Sequence, residues 1–200
     1  MNKPVPNVET WMAFAVGLRR VGLELFGSSQ IKVTEHGAAD LKVLGLLLLA
    51  RTLSNLKATL SLLQENQIVE ARTIARNCYE NQYWVLGLLK DGDEFTSEMV
   101  AHEMRHKRER MQFLFNTEID LDESMELKIR NWLRANKQWA DAKTLNPKGV
   151  AMRGAIQSYV FYQALSADSH PSVDTLNRYY VAPDIDGVPG IDIRASSQTG

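Results

Sequence analysis

Residues 41–63 read LKVLGLLLLARTLSNLKATLSLL, and this stretch decides the fold. Its leucines recur at spacings of three and four residues, which is typical of a helix with one broad apolar face. One stripe of that face consists of Leu41, Leu44, Leu48, Leu56, Leu60 and Leu63, and further leucines widen it. So wide a stripe predicts a helix at the centre of the protein, with Thr34 as its cap and its end near Leu63.

The same periodicity continues on both sides of this stretch. It covers residues 8–27, about 66–90, about 94–115, about 121–143 and about 150–166. After Pro171, prolines and glycines separate two short apolar runs, which predicts a short hairpin or an ordered loop. We therefore predict an all-α fold: a single helical bundle of about six helices with a short irregular or hairpin C-terminal tail.

Length and composition fit one domain. Two hundred residues with 44% hydrophobic content can bury one sizeable core, and nothing in the length demands a second. We predict a single helical domain over residues 1–200, with a core at 34–170 and an extended tail at 171–200. The most apolar run, residues 43–50, is far shorter than the ~20 residues that a membrane span needs, so we expect no membrane partner.

The balance of charges and the single cysteine indicate which partners and which compartment to expect. Lys and Arg number 23 against 24 for Asp and Glu, so the net charge of −1 provides no global field that would attract nucleic acid or an acidic membrane. Any such binding must therefore be local. Cys78 is the single cysteine, which excludes an internal disulfide and indicates a small buried hydrophobe. A cytoplasmic location fits these features, and no motif requires a cofactor.

Residues 102–106, HEMRH, match the H-E-x-x-H pattern that binds zinc in metalloproteases. Such helices are normally buried, whereas this one is crowded by Arg105, Lys107, Arg108 and Arg110. We therefore expect no metal here and favour a solvated helix face. Glu103 and His106 also match half of a di-iron pattern, but the second copy that this pattern needs is absent from the sequence.

A first candidate cluster lies on the third predicted helix, where Arg72, Arg76 and Glu80 repeat every four residues along one side. One interpretation is a surface ladder whose ion pair contributes a few tenths of a kcal/mol. The other follows from the end of this helix, which is apolar nearly all round. Glu80 would then be partly buried and would need a cationic partner such as Arg76 or His170.

A second candidate is His170 in the segment SADSHPS, residues 166–172, where the last helical pattern stops. Histidine is favoured at a helix end by the helix dipole, and Pro171 simply prevents continuation, so a structural role is open. A functional role is open too, because Asp168 could fix the imidazole tautomer and Ser166 supplies a hydroxyl. A serine nucleophile is not indicated, since the chain lacks G-x-S-x-G.

Together, the segments EARTIARNCYE (residues 70–80) and LSADSHPS (residues 165–172) resemble the bacterial family catalogued as domain of unknown function 5677. The similarity covers about residues 40–180, and its motifs are short. The resemblance implies an all-helical fold and a shared polar cluster, carried onto Arg72 or Arg76, Glu80, Ser166 and His170. It implies no activity.

The leading functional hypothesis is an intracellular protein in which Arg76, Glu80 and His170 converge on a polar pocket. His170 would act as general acid or base and Glu80 would orient it, while Arg72, Arg76 and Ser166 would bind an anionic small molecule or nucleic acid, with a phosphodiester as the specific version. Helical RNases of the HEPN group carry an arginine, four to six residues, then a histidine on one helix. No histidine of this sequence has an arginine at that spacing, so the HEPN active site is disfavoured and only a divergent nuclease is still possible.

The alternative is a non-catalytic interaction or oligomerisation module, in which the same residues form a buried polar staple and the apolar helix faces serve contacts between copies in a homo-oligomer. The two hypotheses predict different geometry. An open cavity shared by Arg76, Glu80 and His170 favours the pocket, whereas sealed and mutually satisfied side chains favour the staple. Whether the protein is an enzyme stays open at this stage.

Overall fold

In the computed structural model, which describes residues 7–117, 121–181 and 190–191, the leucine stripe folds as helix α2, Leu41–Gln64. Its N-cap is Asp40, whose Oδ1 accepts hydrogen bonds from the backbone N–H groups of Lys42 and Val43 at 2.9 and 3.4 Å. The predicted Thr34 cap is therefore wrong. Thr34 instead donates to the other oxygen of Asp40 at 2.8 Å, and this bond is the main reason why the pKa of Asp40 is lowered.

Helix α1, Val8–Ser28, precedes α2 and packs against it. Asn7 caps α1 by accepting from the backbone N–H of Thr10 at 2.8 Å. The contact with α2 is close at Gly22, where an added Cβ would lie 2.5 Å from Leu53 Cδ2. No residue of α1 is buried.

Helix α3, Ile68–Asn116, joins two helices that the sequence predicted separately. Gly92 lies at φ 53° and ψ −125°, a left-handed conformation that glycine adopts without steric cost, so the chain kinks there and continues as a helix. The kink folds Phe95 back onto the preceding turn. Its fully buried ring occupies the space beside Gly87, where an added Cβ would lie 2.5 Å from Phe95 Cε1.

The other predicted helices are shorter than expected: α4 (Glu123–Ala135), α5 (Pro147–Ala151) and α6 (Tyr159–Ser166), with single 3-10 turns among them. A further short helix, α7 (Val173–Asn177), lies in the segment predicted as an extended tail, so that prediction is wrong for these residues; Ser172 caps α7 by accepting from the backbone N–H of Thr175. The helix predicted at 150–166 is broken because the chain leaves helical geometry at Ala155, φ −132°, directly after Gly154, a residue with poor helix propensity. Likewise, α4 gives way to a 3-10 turn at Lys137–Trp139 instead of continuing to 143.

The predicted hairpin exists as one antiparallel pair of two-residue strands, β1 (Tyr180–Val181) and β2 (Gly190–Ile191), with Tyr180 opposite Ile191. The other parts of the predicted tail, residues 182–189 and 192–200, lie outside the described residues. The all-α fold with a short C-terminal tail is confirmed, with seven α-helices in the ranges that the structure covers.

The core lies between α2, the first half of α3 and the α5–α6 region, and α2 and α3 share the most extensive helix–helix contact. Its buried side chains are Leu48, Tyr83, Leu88, Phe95, Val150, Ala151, Ala155 and Tyr162. By length and composition, α2 is the one helix of the described ranges that could cross a membrane. On its own this is weak evidence, because a core helix of a soluble protein has the same composition.

Candidate functional site

Polar contacts between α3 and the α6–α7 region run antiparallel. Going down α3 from Glu80 to Arg76, Arg72 and Glu70, the partners rise along the chain: Tyr162, Ser166, Asp168 and Tyr179. Because α6 continues through a 3-10 turn at Ala167–Ser169, the chain after Ser166 passes along the N-terminal end of α3. The cluster therefore divides into three parts.

The first part, here called the polar staple, consists of Arg76, Glu80, Tyr162 and Ser166. Arg76 Nη2 donates to Glu80 Oε1 at 2.8 Å and to the Tyr162 hydroxyl at 2.9 Å, while its Nε donates to Ser166 Oγ at 3.0 Å. The Tyr162 hydroxyl in turn donates to Glu80 Oε1 at 2.9 Å, and the guanidinium lies 5.1 Å from the centre of the Tyr162 ring. These four side chains hydrogen-bond to one another and connect α3 to α6.

The second part is Asp168 with its two arginines, here called the Asp168 triad. The side chain of Asp168 is only 2% exposed, and it pairs with Arg72 Nε through Oδ2 and with Arg178 Nε through Oδ1, the latter at 3.2 Å. Arg72 Nη2 also donates to the carbonyl of Ala164 at 3.1 Å. The sequence predicted Asp168 as a partner for His170. In the structure both carboxylate oxygens bind arginines instead.

The third part is an open pocket of about 430 Å³, here called the Glu70 pocket. Its polar wall consists of Glu70, Thr73, Asp168, Ser169, His170, Thr175 and Tyr179, and its apolar wall consists of Leu62, Val69, Ile74, Pro171 and Leu176. His170 is exposed at this pocket. Within the described ranges, no hydrogen bond or ion pair joins its imidazole to Arg76 or Glu80, so the expected convergence of these three side chains is not observed.

Glu70 and Tyr179 are site residues that sequence reasoning missed. The Tyr179 hydroxyl donates to Glu70 Oε1 at 2.5 Å. The other oxygen, Oε2, is covered by its surroundings and has no hydrogen-bond donor among the residues that the structure describes. Burial, and after it the carboxylates of Glu70 and Asp168, raise the pKa of Tyr179 to about 12. Glu70 lies two residues before Arg72 and six before Arg76, so it does not share the four-residue repeat of Arg72, Arg76 and Glu80, and that repeat gave no signal for it.

The H-E-x-x-H segment serves packing. His102 Nδ1 accepts from the backbone N–H of Leu145 at 3.0 Å, and Arg105 Nη1 donates to the carbonyl of Ala142 at 2.7 Å, so this part of α3 binds the chain that leads into α5. Burial, and after it the neighbouring His106, lower the pKa of His102. In the residues 7–117, 121–181 and 190–191, no three His, Cys, Asp or Glu side chains gather as metal donors.

Charge is balanced across the three parts. Arg72, Arg76 and Arg178 stand against Glu70, Glu80 and Asp168, and each arginine pairs with a carboxylate of the staple or the triad. None of the three arginines lines the Glu70 pocket, whose charged side chains are Glu70 and Asp168. Chemically, the pocket wall offers acceptor oxygens, hydroxyls and one imidazole beside an apolar surface.

The model of the family of unknown function DUF5677 matches residues 42–188, a range that includes the staple, the triad and the Glu70 pocket and leaves α1 outside. No curated protein and no solved structure matches the chain.

Proposed function

Because the chain belongs to the family of unknown function DUF5677, we propose its function from the geometry of its own pocket. The protein binds a small ligand in the Glu70 pocket, and that ligand carries a cationic nitrogen with hydrogen-bond donors on an apolar body. The staple and the triad are the framework that holds the pocket wall in position. This proposal concerns binding and includes no reaction.

The carboxylate of Glu70 carries the proposal. Its Oε2 is covered and has no donor within the described chain, although the side chain as a whole is partly exposed at the pocket wall. A buried acceptor without a donor costs on the order of 1–3 kcal/mol. A ligand ammonium that meets this oxygen after a small rotation of the carboxylate would supply the missing donor as a charge-assisted hydrogen bond.

The distribution of charge argues for a cation over the anionic ligand that the sequence suggested. An anion in the pocket would face Glu70, which has no arginine partner among the described residues, while Arg72 and Arg76 are engaged in ion pairs with Asp168 and Glu80. Glu70 also occupies the first turn of α3, which is where the helix dipole would otherwise attract an anion. Burial is the main cause of the raised pKa of Tyr179, and the hydrogen bond to the carboxylate of Glu70 is the next.

The remaining wall indicates the size and polarity of the ligand. A cavity of about 430 Å³ lies in the range of small-molecule sites. Leu62, Ile74 and Leu176 provide an apolar surface for a hydrocarbon or aromatic body. His170, exposed at the pocket, offers an imidazole nitrogen that can accept a second N–H of the ligand.

A titration of the isotope-labelled protein with 2-phenylethylamine tests the proposal, with amide NMR shifts as the measurement. We expect saturable shifts at Thr73, Ser169 and Leu176 with a Kd in the millimolar range, as suits a ligand of this size. Glu70→Gln keeps an acceptor for Tyr179 but removes the charge, and we expect it to weaken binding about tenfold or more. Glu103→Gln is the matched control on an exposed carboxylate of the same helix, and we expect it to change nothing.

Diethyl phosphate supplies the opposing arm of this experiment, because it presents the phosphodiester that the sequence suggested. Saturable shifts at the same amides with diethyl phosphate and none with the amine would overturn the proposal and restore the anionic ligand. An amine that binds equally well to the Glu70→Gln variant would also overturn it, since the carboxylate would then play no part.

A further inference from the structure

Helix α1 is largely apolar, and one side of it packs against α2 while most of its surface is exposed. Nine large apolar side chains along its length are exposed: Val8, Trp11, Phe14, Val16, Leu18, Val21, Leu23, Leu25 and Phe26. A helix that is apolar over most of its surface is normally buried. The residues that the structure describes therefore leave most of this apolar surface uncovered.

Five of these residues form a regular line along α1, here called the Trp11 seam: Trp11, Phe14, Leu18, Val21 and Leu25. Their spacing alternates between three and four residues, which is the heptad pattern of coiled coils. Their exposed fractions are nearly equal, between 55% and 61%. A seam of this period can pack along the same seam of a second helix.

Packing within the chain leaves the seam free. Five residues of α1 are partly buried, Met12, Ala15, Gly17, Arg19 and Gly22, and Leu53 of α2 lies against Gly22. Three of these five residues are small, and the other residues of α1 are exposed. The large side chains of the seam project from a neighbouring side of the helix.

One border of the seam leaves room for a second helix. An added Cβ at Gly17 would meet nothing within 4 Å, and Glu24 is the charged residue next to the seam on this border. Ala15 and Gly22, on the other border, belong to the partly buried side of α1. A net charge of −1 per chain means that two copies repel each other only weakly. The same surface on both partners is what a two-fold symmetric dimer requires.

The area is sufficient for a dimer. Val8 extends the seam, and six large side chains that each expose on the order of 90 Å² supply about 540 Å² of apolar area per copy. A standard stable interface buries about 800 Å² per partner, and about 60% of that area is apolar. The apolar area of the seam is therefore as large as the apolar part of such an interface.

We propose that two copies of this chain pair through the Trp11 seam, with α1 of one copy packed along α1 of the other as a short left-handed coiled coil. This interface is independent of the Glu70 pocket. It also lies outside the segment that the DUF5677 family model matches, so it is a feature of this chain and not of the matched segment.

Sedimentation equilibrium of the full chain tests the proposal. We expect wild type to approach twice the monomer mass of 22.6 kDa as concentration rises. Leu18→Glu places a charge at the midpoint of the seam, and we expect it to weaken association at least about a hundredfold, as a charge left unpaired in a buried interface does. Val16→Glu is the matched control, because Val16 is as exposed as Leu18, 55% each, but lies off the seam.

A mixture of Leu18→Glu and Leu18→Lys distinguishes a lost interface from a misfolded variant. Leu18 is the third of the five seam residues, so the two copies meet there in a parallel or an antiparallel pair, and we expect the opposite charges to restore dimers. A monomeric wild type overturns the proposal, as does equal dissociation of the Val16→Glu control. A monomer that instead binds phosphatidylglycerol vesicles through the seam would assign α1 to a lipid surface and overturn it as well.

Discussion

Asp168 holds together the end of α6 and the start of α3, because one nearly inaccessible carboxylate pairs with two arginines from different elements. Arg72 comes from α3 and Arg178 follows α7, so the three segments meet at a single side chain. The neighbouring Thr73 hydroxyl also donates to the backbone carbonyl of Asp168 at 3.2 Å. The residue therefore fixes the chain that carries His170.

Removing this charge should be costly. We expect Asp168→Asn to lower the free energy of unfolding by about 3 kcal/mol, at the lower end for a broken buried ion pair because both arginines keep some contact with water. Chemical denaturation measures the change. Asp141→Asn, the same substitution at an exposed position, should stay within about 0.5 kcal/mol. Equal effects of the two substitutions would contradict the structural role of Asp168.

Tyr179 links stability to pH. Its pKa is raised to about 12 from the ordinary value of 10, so the folded state holds the phenol proton more tightly than the unfolded state does. This contribution to stability is fully present below about pH 10 and is lost as pH rises through about 12. Glu70→Gln removes one cause and leaves burial, so we expect the pKa of Tyr179 to fall but to remain above 10.

Labelled tyrosine ring carbons followed by NMR from pH 8 to about 12.5 measure this pKa directly. Tyr180, which is half exposed, serves as an internal reference in the same spectra. A Tyr179 pKa that does not change in the Glu70→Gln variant would show that the hydrogen bond to Glu70 is absent in solution.

At the scale of elements, the kink in α3 depends on two glycines with different tasks. Gly92 allows the left-handed backbone, and Gly87 leaves room for the ring of Phe95. We expect Gly87→Ala to destabilise the protein by about 2 kcal/mol, because overpacking against a fully buried ring outweighs the gain in helix propensity.

Gly45→Ala in α2 is the control for this substitution, since an added Cβ there meets nothing within 4 Å. We expect it to stabilise the protein by about 0.5–1 kcal/mol through helix propensity alone. Thermal unfolding of the two variants gives the comparison. A stabilised Gly87→Ala variant would mean that Phe95 does not pack against this turn.

Elements with a strong apolar period could be predicted from the sequence, and those decided by single backbone angles could not. The patterns of α1 and α2 predicted both ends of α1 and the end of α2 to within one residue, whereas the cap of α2 was predicted six residues before Asp40. Lys90 to Asp93 reads as a turn, because a glycine between charged residues normally ends a helix. The left-handed angle at Gly92 instead lets α3 continue, and that angle has no pattern in the sequence.

At the scale of the whole molecule, the antiparallel course of α6 along α3 explains which part of the candidate site could be predicted. Arg76 and Ser166 were predicted in one cluster, and the structure joins them directly at 3.0 Å. His170 follows Ser166 by four residues, so an antiparallel register places it beyond Arg72, towards Glu70, and away from Glu80. Residue periodicity on each helix separately contains no information on that register.

The central claim is that the staple stabilises and the Glu70 pocket binds. One comparison tests it most directly: the free energy of unfolding and the affinity for 2-phenylethylamine, both measured in Glu70→Gln and in Glu80→Gln. We predict that Glu80→Gln loses about 1 kcal/mol of stability, as for a partly exposed ion pair, and retains the amine. We predict that Glu70→Gln loses the amine and retains its stability. The reverse pattern, or one variant that loses both, would contradict the account.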